Sequence, residues 1–183
     1  MSQWDSITHL TELEKRCAAL WLRVSPASVI GPITGLIVGE MPGRSTSGKL
    51  PLFPHPKNSS GGRLWAMSGV PIGIYLGRLA RTNLLSEFRE DWDRREAAER
   101  AKVLVEQQPN GRRVVVLGKR VGEAFGFRRF FEVLADEPRH VSYTCIPHPS
   151  ARNLEYRDVA KRVGARIALQ FAADYMVAPK ENK

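Results

Sequence analysis

Cysteine is scarce: Cys17 and Cys145 are the only two in 183 residues. An iron–sulfur cluster takes about four thiolates, so no cluster is expected, and the wide spacing gives no zinc-binding pattern. Both thiols read as buried structural groups, one in a helix and one in a strand. Acidic side chains are also few, 19 Asp and Glu against 28 Lys and Arg, a net charge of +9 and a pI near 10.0. That balance suits a polyanionic partner, and equally a merely soluble basic protein. Missing too is any apolar run near the ~20 residues of a membrane span. Met1-Ser2-Gln3-Trp4-Asp5 does not open a signal peptide, so no membrane association and a cytoplasmic location are expected.

What is present is an alternation of strand-like and helix-like segments over one domain, residues 1–183, with no internal repeat. A 43% hydrophobic content suits a full core at this length. Residues 8–23 carry Leu10, Leu13, Cys17 and Leu20 at helical spacing. Strands are expected at about 33–38, 81–85, 114–117 and 141–146. Ser68-Gly69 reads as the start of a helix running to Ala80. Asp93 with Glu96 reads as a capping box for a helix to Gln107, whose charges form a solvated face. Pro109-Asn110-Gly111 is a turn signal, a short helix follows at 119–125, and a last helix runs from Glu155 to Tyr175. Residues 43–67 form a long Gly-, Pro-, Ser- and Lys-rich loop, and 179–183 a tail. The expected fold is α/β, a three-layer α/β/α sandwich around a central, mainly parallel four-stranded sheet.

One motif is a decoy. Gly43-Arg44-Ser45-Thr46-Ser47-Gly48-Lys49 has the spacing of a phosphate-binding loop. Leu50 stands where a hydroxyl would hold magnesium, and Pro51, Pro54 and Pro56 block the helix that would cradle phosphates.

Two strand ends carry chemistry. Leu36-Ile37-Val38-Gly39 breaks into Glu40-Met41-Pro42-Gly43, and Val141–Ile146 breaks into Pro147-His148-Pro149-Ser150-Ala151-Arg152-Asn153. Two polar groups on Pro-stiffened turns at strand ends suggest one shared site. Glu40 reads either as a carboxylate accepting N–H bonds within its own turn or as a catalytic group. His148 reads either as a satisfied polar group or as a donor. Ser150, Lys57, Asn58 and Arg63 are candidate phosphate contacts.

Gly39-Glu40-Met41-Pro42-Gly43 resembles the first signature of the uracil-DNA glycosylase superfamily, closest to its thermostable iron–sulfur class. His148-Pro149-Ser150-Ala151-Arg152-Asn153 resembles the second signature, closest to the single-strand-selective monofunctional class. Arg81-Thr82-Asn83-Leu84-Leu85 looks like the base-reading segment between them. The resemblance implies a DNA partner, base flipping, and excision of a pyrimidine by a monomeric enzyme without metal or cofactor. It implies Glu40 and His148 as catalytic groups, Asn83 as the base reader and Phe53 as the stacking aromatic. Arg152 would fill the gap left by the flipped base, beside Ser150 and Asn153 on the DNA. In several classes a catalytic Asp or Asn stands where this chain has Met41. In uracil-specific enzymes a tyrosine stands where this chain has Gly43, which opens room for a 5-substituted base. The chain also departs from the iron–sulfur class by inserting Pro54 through Met67, as a surface loop or a substrate-side lid. Repair, phage base metabolism and defence against modified phage DNA all fit such an activity. A non-catalytic reader of modified bases on the same fold is the alternative.

Overall fold

The computed structural model describes residues 32–43, 50–150 and 153–175. The expected helix at 8–23 with Cys17, Arg152, residues 44–49 and the 179–183 tail lie outside the described residues.

The fold is a mixed α/β sandwich. Its sheet holds β1 (Gly35–Gly39), β2 (Leu79–Asn83), β3 (Arg113–Leu117), β4 (Val133–Asp136) and β5 (Val141–Ile146), in the order β2-β1-β3-β5-β4. Four of these run parallel, and β4 pairs antiparallel with β5 at the edge. β1 is buried along its whole length, as a central strand covered on both faces must be.

The two faces carry separate cores. Ile37, Val115, Leu117 and Ile146 pack against Leu64 of α1 (Ser60–Ser68), Tyr75 of α2 (Ile72–Arg78), and Ala165 and Leu169 of the last helix. Leu36, Val38, Val114 and Val116 face Ala97 and Ala101 of α3 (Arg94–Glu106) and Val121 of α4 (Lys119–Ala124). The last helix, α5, spans Val159–Ala172. The period of 2 in the strands sorts alternate residues to the two faces, which makes three layers. Among the described residues, no helix is long and apolar enough to cross a membrane.

Several expectations need correction. The sheet has five strands rather than four. Val133-Leu134-Ala135-Asp136 is short, half-exposed and at an edge, so it lacks the continuous apolar run that marks the central strands β1 and β3. β2 lies two residues earlier than expected, because Leu79 is the residue that enters the core. Ser68-Gly69 ends a helix instead of starting one. Gly69 adopts φ 65°, the left-handed conformation that closes helices, and Ser68 Oγ donates to the Trp65 carbonyl. Ser59 caps α1, accepting from Gly62 N. The last helix begins at Val159 behind a 3₁₀ turn at Leu154–Arg157, since Asp158 turns extended and caps it. Asp93 does cap α3, accepting from Arg95 N and Glu96 N, while the Glu96 carboxylate pairs with Arg89 and Arg100 on the exposed face.

The insertion from Pro54 to Met67 is neither wholly loop nor wholly lid. Its second half is α1, and Leu64 is completely buried against the α5 side of the core. Leu64→Ala is therefore expected to cost about 2–5 kcal/mol of stability, the range for a truncated core leucine. A side chain on a surface lid would cost within about 0.5 kcal/mol. Denaturant unfolding reads the difference, and the smaller value would return the segment to the surface.

Candidate functional site

The strand order places β2 on one side of β1 and β3 on the other. The chain passes from β1 to β2 on one side and then crosses back over β1 to β3 on the other, so the strand order switches between β1 and β3. In open parallel sheets ligands bind in the crevice at the carboxyl ends of such a switch point. The turns after Gly39, Asn83, Leu117 and Ile146 all leave this same carboxyl edge of the sheet.

Glu40 follows β1 directly. Its Oε1 accepts from Arg120 Nη1 at 3.1 Å, and the side chains are 28% and 59% exposed respectively. Among the described residues the carboxylate is held by this guanidinium, 80 positions away in sequence, rather than by its own turn. Arg120 stands in the first turn of α4, behind Gly118, so the ion pair spans the crevice between β1 and β3. Sequence reasoning missed Arg120. The available signal was that Val114–Leu117 ends in Gly118 just as β1 ends in Gly39, with two cations following.

His148 sits half-buried between the buried prolines Pro147 and Pro149. Gly118 adopts φ 89°, and a Cβ built there would lie 3.1 Å from His148 Cβ. Glycine is thus required for both the turn and the close approach of the histidine. Asn153 pins the loop: its Nδ2 donates to the His148 carbonyl at 2.9 Å and its Oδ1 accepts from Glu155 N at 3.0 Å. The Tyr156 hydroxyl donates to the Pro147 carbonyl. Burial lowers the His148 pKa below its usual 6.5, and the negative charge of Glu40 opposes that shift in part. The imidazole is therefore neutral at pH ~7, with one nitrogen able to donate.

Asn83 closes the other side. It pairs in register with Gly39, and a Cβ on Gly39 would meet Asn83 Oδ1 at 2.6 Å and Leu52 Cδ1 at 3.3 Å. The carboxamide thus lies over the glycine that precedes Glu40. Arg81, on the same strand, donates to the Tyr75 and Leu79 carbonyls and closes the end of α2. Thr82 and Asn83 also border a cavity of ≈ 540 Å³ between β2 and α3, whose lining includes neither Glu40 nor His148.

The remaining candidates are spread more widely. Phe53 is 7% exposed and packs with Ile37, Leu64 and Tyr75 in the core, which leaves little of its ring open to a ligand. Met41 turns its sulfur towards Arg89 N, 3.4 Å away. Gly43, Lys57 and Asn58 are exposed, while Arg63 and Ser150 border one groove. Asn153 is committed to holding the His148 loop. Cys145 is buried beneath the site; burial pushes its thiol up to about 12, so it is an inert packing group.

Chemically, the crevice offers a carboxylate, a neutral imidazole and an amide on three converging strand ends. Among the described residues, no group of three or more His, Cys, Asp or Glu is placed to hold a metal ion. No family model matches the chain, and no curated protein matches it.

Proposed function

We propose that the chain is a monofunctional DNA glycosylase that flips a pyrimidine nucleotide and hydrolyses its base–sugar bond. The observation that carries this reading is the convergence of Glu40 and a neutral His148 on the crevice between β1 and β3, with Asn83 beside them. Cleavage of the glycosidic bond sends the bonding pair to the base and leaves positive charge on the deoxyribose. A carboxylate near the sugar and an N–H donor at the base oxygen stabilise the two developing charges. Water then bonds to C1′, with Glu40 orienting it, and the proton it loses ends on the departed base or in solvent. The Asn83 carboxamide can donate and accept along a pyrimidine edge. A strand-cleaving lyase would need a lysine amine at the reaction centre, and none stands in these motifs.

The test is a panel of oligonucleotides carrying different modified pyrimidines, scored by alkali-sensitive strand breaks. Breaks at one base class support the reading; none across the panel, with DNA bound, overturns it. That second result would favour a non-catalytic reader of modified bases. Two observations support this alternative: Met41 offers no acid or amide, and Arg120 already occupies the Glu40 carboxylate.

Within the glycosylase reading, Gly43 sets the substrate. It is exposed at the mouth of the turn, and without a side chain it leaves room beside C5 of the base. Hydroxymethylated or glucosylated pyrimidines are expected to be cut better than uracil, and Gly43→Tyr is expected to reverse that order by roughly tenfold or more. Uracil cut best, with a ranking unmoved by Gly43→Tyr, would remove Gly43 from the specificity.

A further inference from the structure

A second surface opens from the back of the His148 loop. A groove of ≈ 650 Å³ runs between α1 and the Leu154–Arg157 turn with α5. Four arginines border it: Arg63 from α1, Arg157 from the turn, and Arg162 and Arg166 from successive turns of α5. Among the described residues, no acidic side chain lines it. The nearest carboxylates in sequence are committed elsewhere, Glu155 to Lys161 and Asp158 to capping Ala160 N.

Two of the arginines are held in place. Arg162 Nη1 donates to the Tyr156 carbonyl at 3.0 Å, and Arg166 Nε donates to the Met67 carbonyl at 3.3 Å. Each bond anchors one edge of a guanidinium and leaves other N–H groups for an anion. Arg162 and Arg166 stand one turn apart on the helix, so their charges form a track rather than a point. The groove is also physically joined to the candidate site. Ser150 and Asn153 line it, and Asn153 donates to the His148 carbonyl.

We infer that this groove is a phosphate track, which holds the DNA backbone flanking the flipped nucleotide. The inference rests on the glycosylase reading for its choice of DNA, and on charge complementarity for the groove itself. A cationic groove without carboxylates selects a polyanion, and fixed arginine forks match phosphate oxygens better than free lysines do. The Pro54–Met67 insertion gains a role here: its helix α1 supplies one wall, through Arg63 and Met67.

The test is binding of an unmodified single-stranded 16-mer to the full chain across a salt series. Three proteins are compared with wild type: Arg162→Gln/Arg166→Gln, Arg157→Gln, and a control, Arg94→Gln/Arg95→Gln. The control removes the same two charges from exposed positions on α3, across the sheet. The groove double variant is expected to bind roughly tenfold or more weakly, the loss of two charge-assisted contacts. Its salt slope should fall by about 1.4, since each single-strand phosphate contact contributes about 0.7. Arg157→Gln, on an exposed residue whose side chain makes no hydrogen bond to the described residues, should lower the slope by about half that and leave the melting temperature alone. Equal losses in the groove and control variants would mean bulk charge rather than a track, and overturn the inference. So would a groove variant that binds like wild type. If wild type cuts no modified base while the groove variants still lose binding, the glycosylase reading fails and the track stands. If cutting is found and the groove variants bind normally, the reverse holds.

Discussion

On the glycosylase reading proposed above, replacing Glu40 by glutamine is expected to slow base release by about 10²–10³-fold while leaving the fold intact, the scale of losing one preorganised electrostatic group. The separation of effects follows from exposure. The only side-chain partner of Glu40 among the described residues is Arg120, which is 59% exposed. An ion pair that open to water contributes little to stability, so its loss should move the melting temperature only slightly. On the same reading DNA binding should hold or tighten, because removing a carboxylate removes repulsion of a polyanion. Single-turnover kinetics at saturating enzyme isolates the chemical step. A wild-type rate would show that Glu40 only anchors Arg120, and a collapse of rate, binding and melting temperature together would make it structural. Arg120→Gln is the companion variant. It frees the carboxylate, so it should spare turnover far more than Glu40→Gln does.

The second large effect belongs to His148. His148→Ala should cut turnover by ~10²-fold or more, with DNA binding largely kept. The physical basis is preorganisation: Pro147 and Pro149 stiffen the backbone, Asn153 fixes the carbonyl, and Gly118 lets the ring approach. The histidine also leaves a mark on stability against pH. Its folded pKa lies below the usual 6.5, so in the window between the two values the unfolded chain binds more protons. The stabilisation is full above pH 6.5 and is lost as pH falls through the lowered folded value. Wild type should therefore lose stability on acidification through that window, and His148→Ala should lose less. Melting curves of both proteins at neutral and acid pH measure this. Parallel losses would place the acid sensitivity elsewhere, and an unchanged turnover in His148→Ala would remove the residue from the mechanism.

Much of this architecture is legible in the chain without coordinates. Leu36–Gly39 and Val114–Leu117 are continuous apolar runs because strands inside a parallel sheet are covered on both faces, while Val141–Ile146 alternates apolar residues with the half-buried Ser142 and Thr144. A turn residue marks each exit, so the polar groups at those exits, Glu40 and His148, were identifiable as a pair. Asp93 capped its helix as its local chemistry demanded, for a cap is an interaction within one turn. Local signals failed where they pointed both ways. Ser68-Gly69 fits either end of a helix, and what decided was the burial of Leu64 against α5, about a hundred residues further on. β4 was silent because an edge strand needs only a partner, which β5 supplies, and not an apolar run of its own.

The carboxylate of Glu40 is the sharpest case. Its sequence neighbours offered only a turn, and a carboxylate in a turn reads as self-capping. Its actual partner, Arg120, comes from the helix that follows β3, brought within 3.1 Å because β3 pairs beside β1. In the same way no spacing rule joins Arg63 to Arg162 and Arg166; the packing of α1 against α5 does. The residue types, the strand exits and the excess of positive charge were determined by the sequence itself, since each depends on composition or on neighbours a few residues away. Which charges face each other across the crevice, and which line one groove, was decided by tertiary structure alone, because strand order and helix packing set distances that sequence separation does not encode.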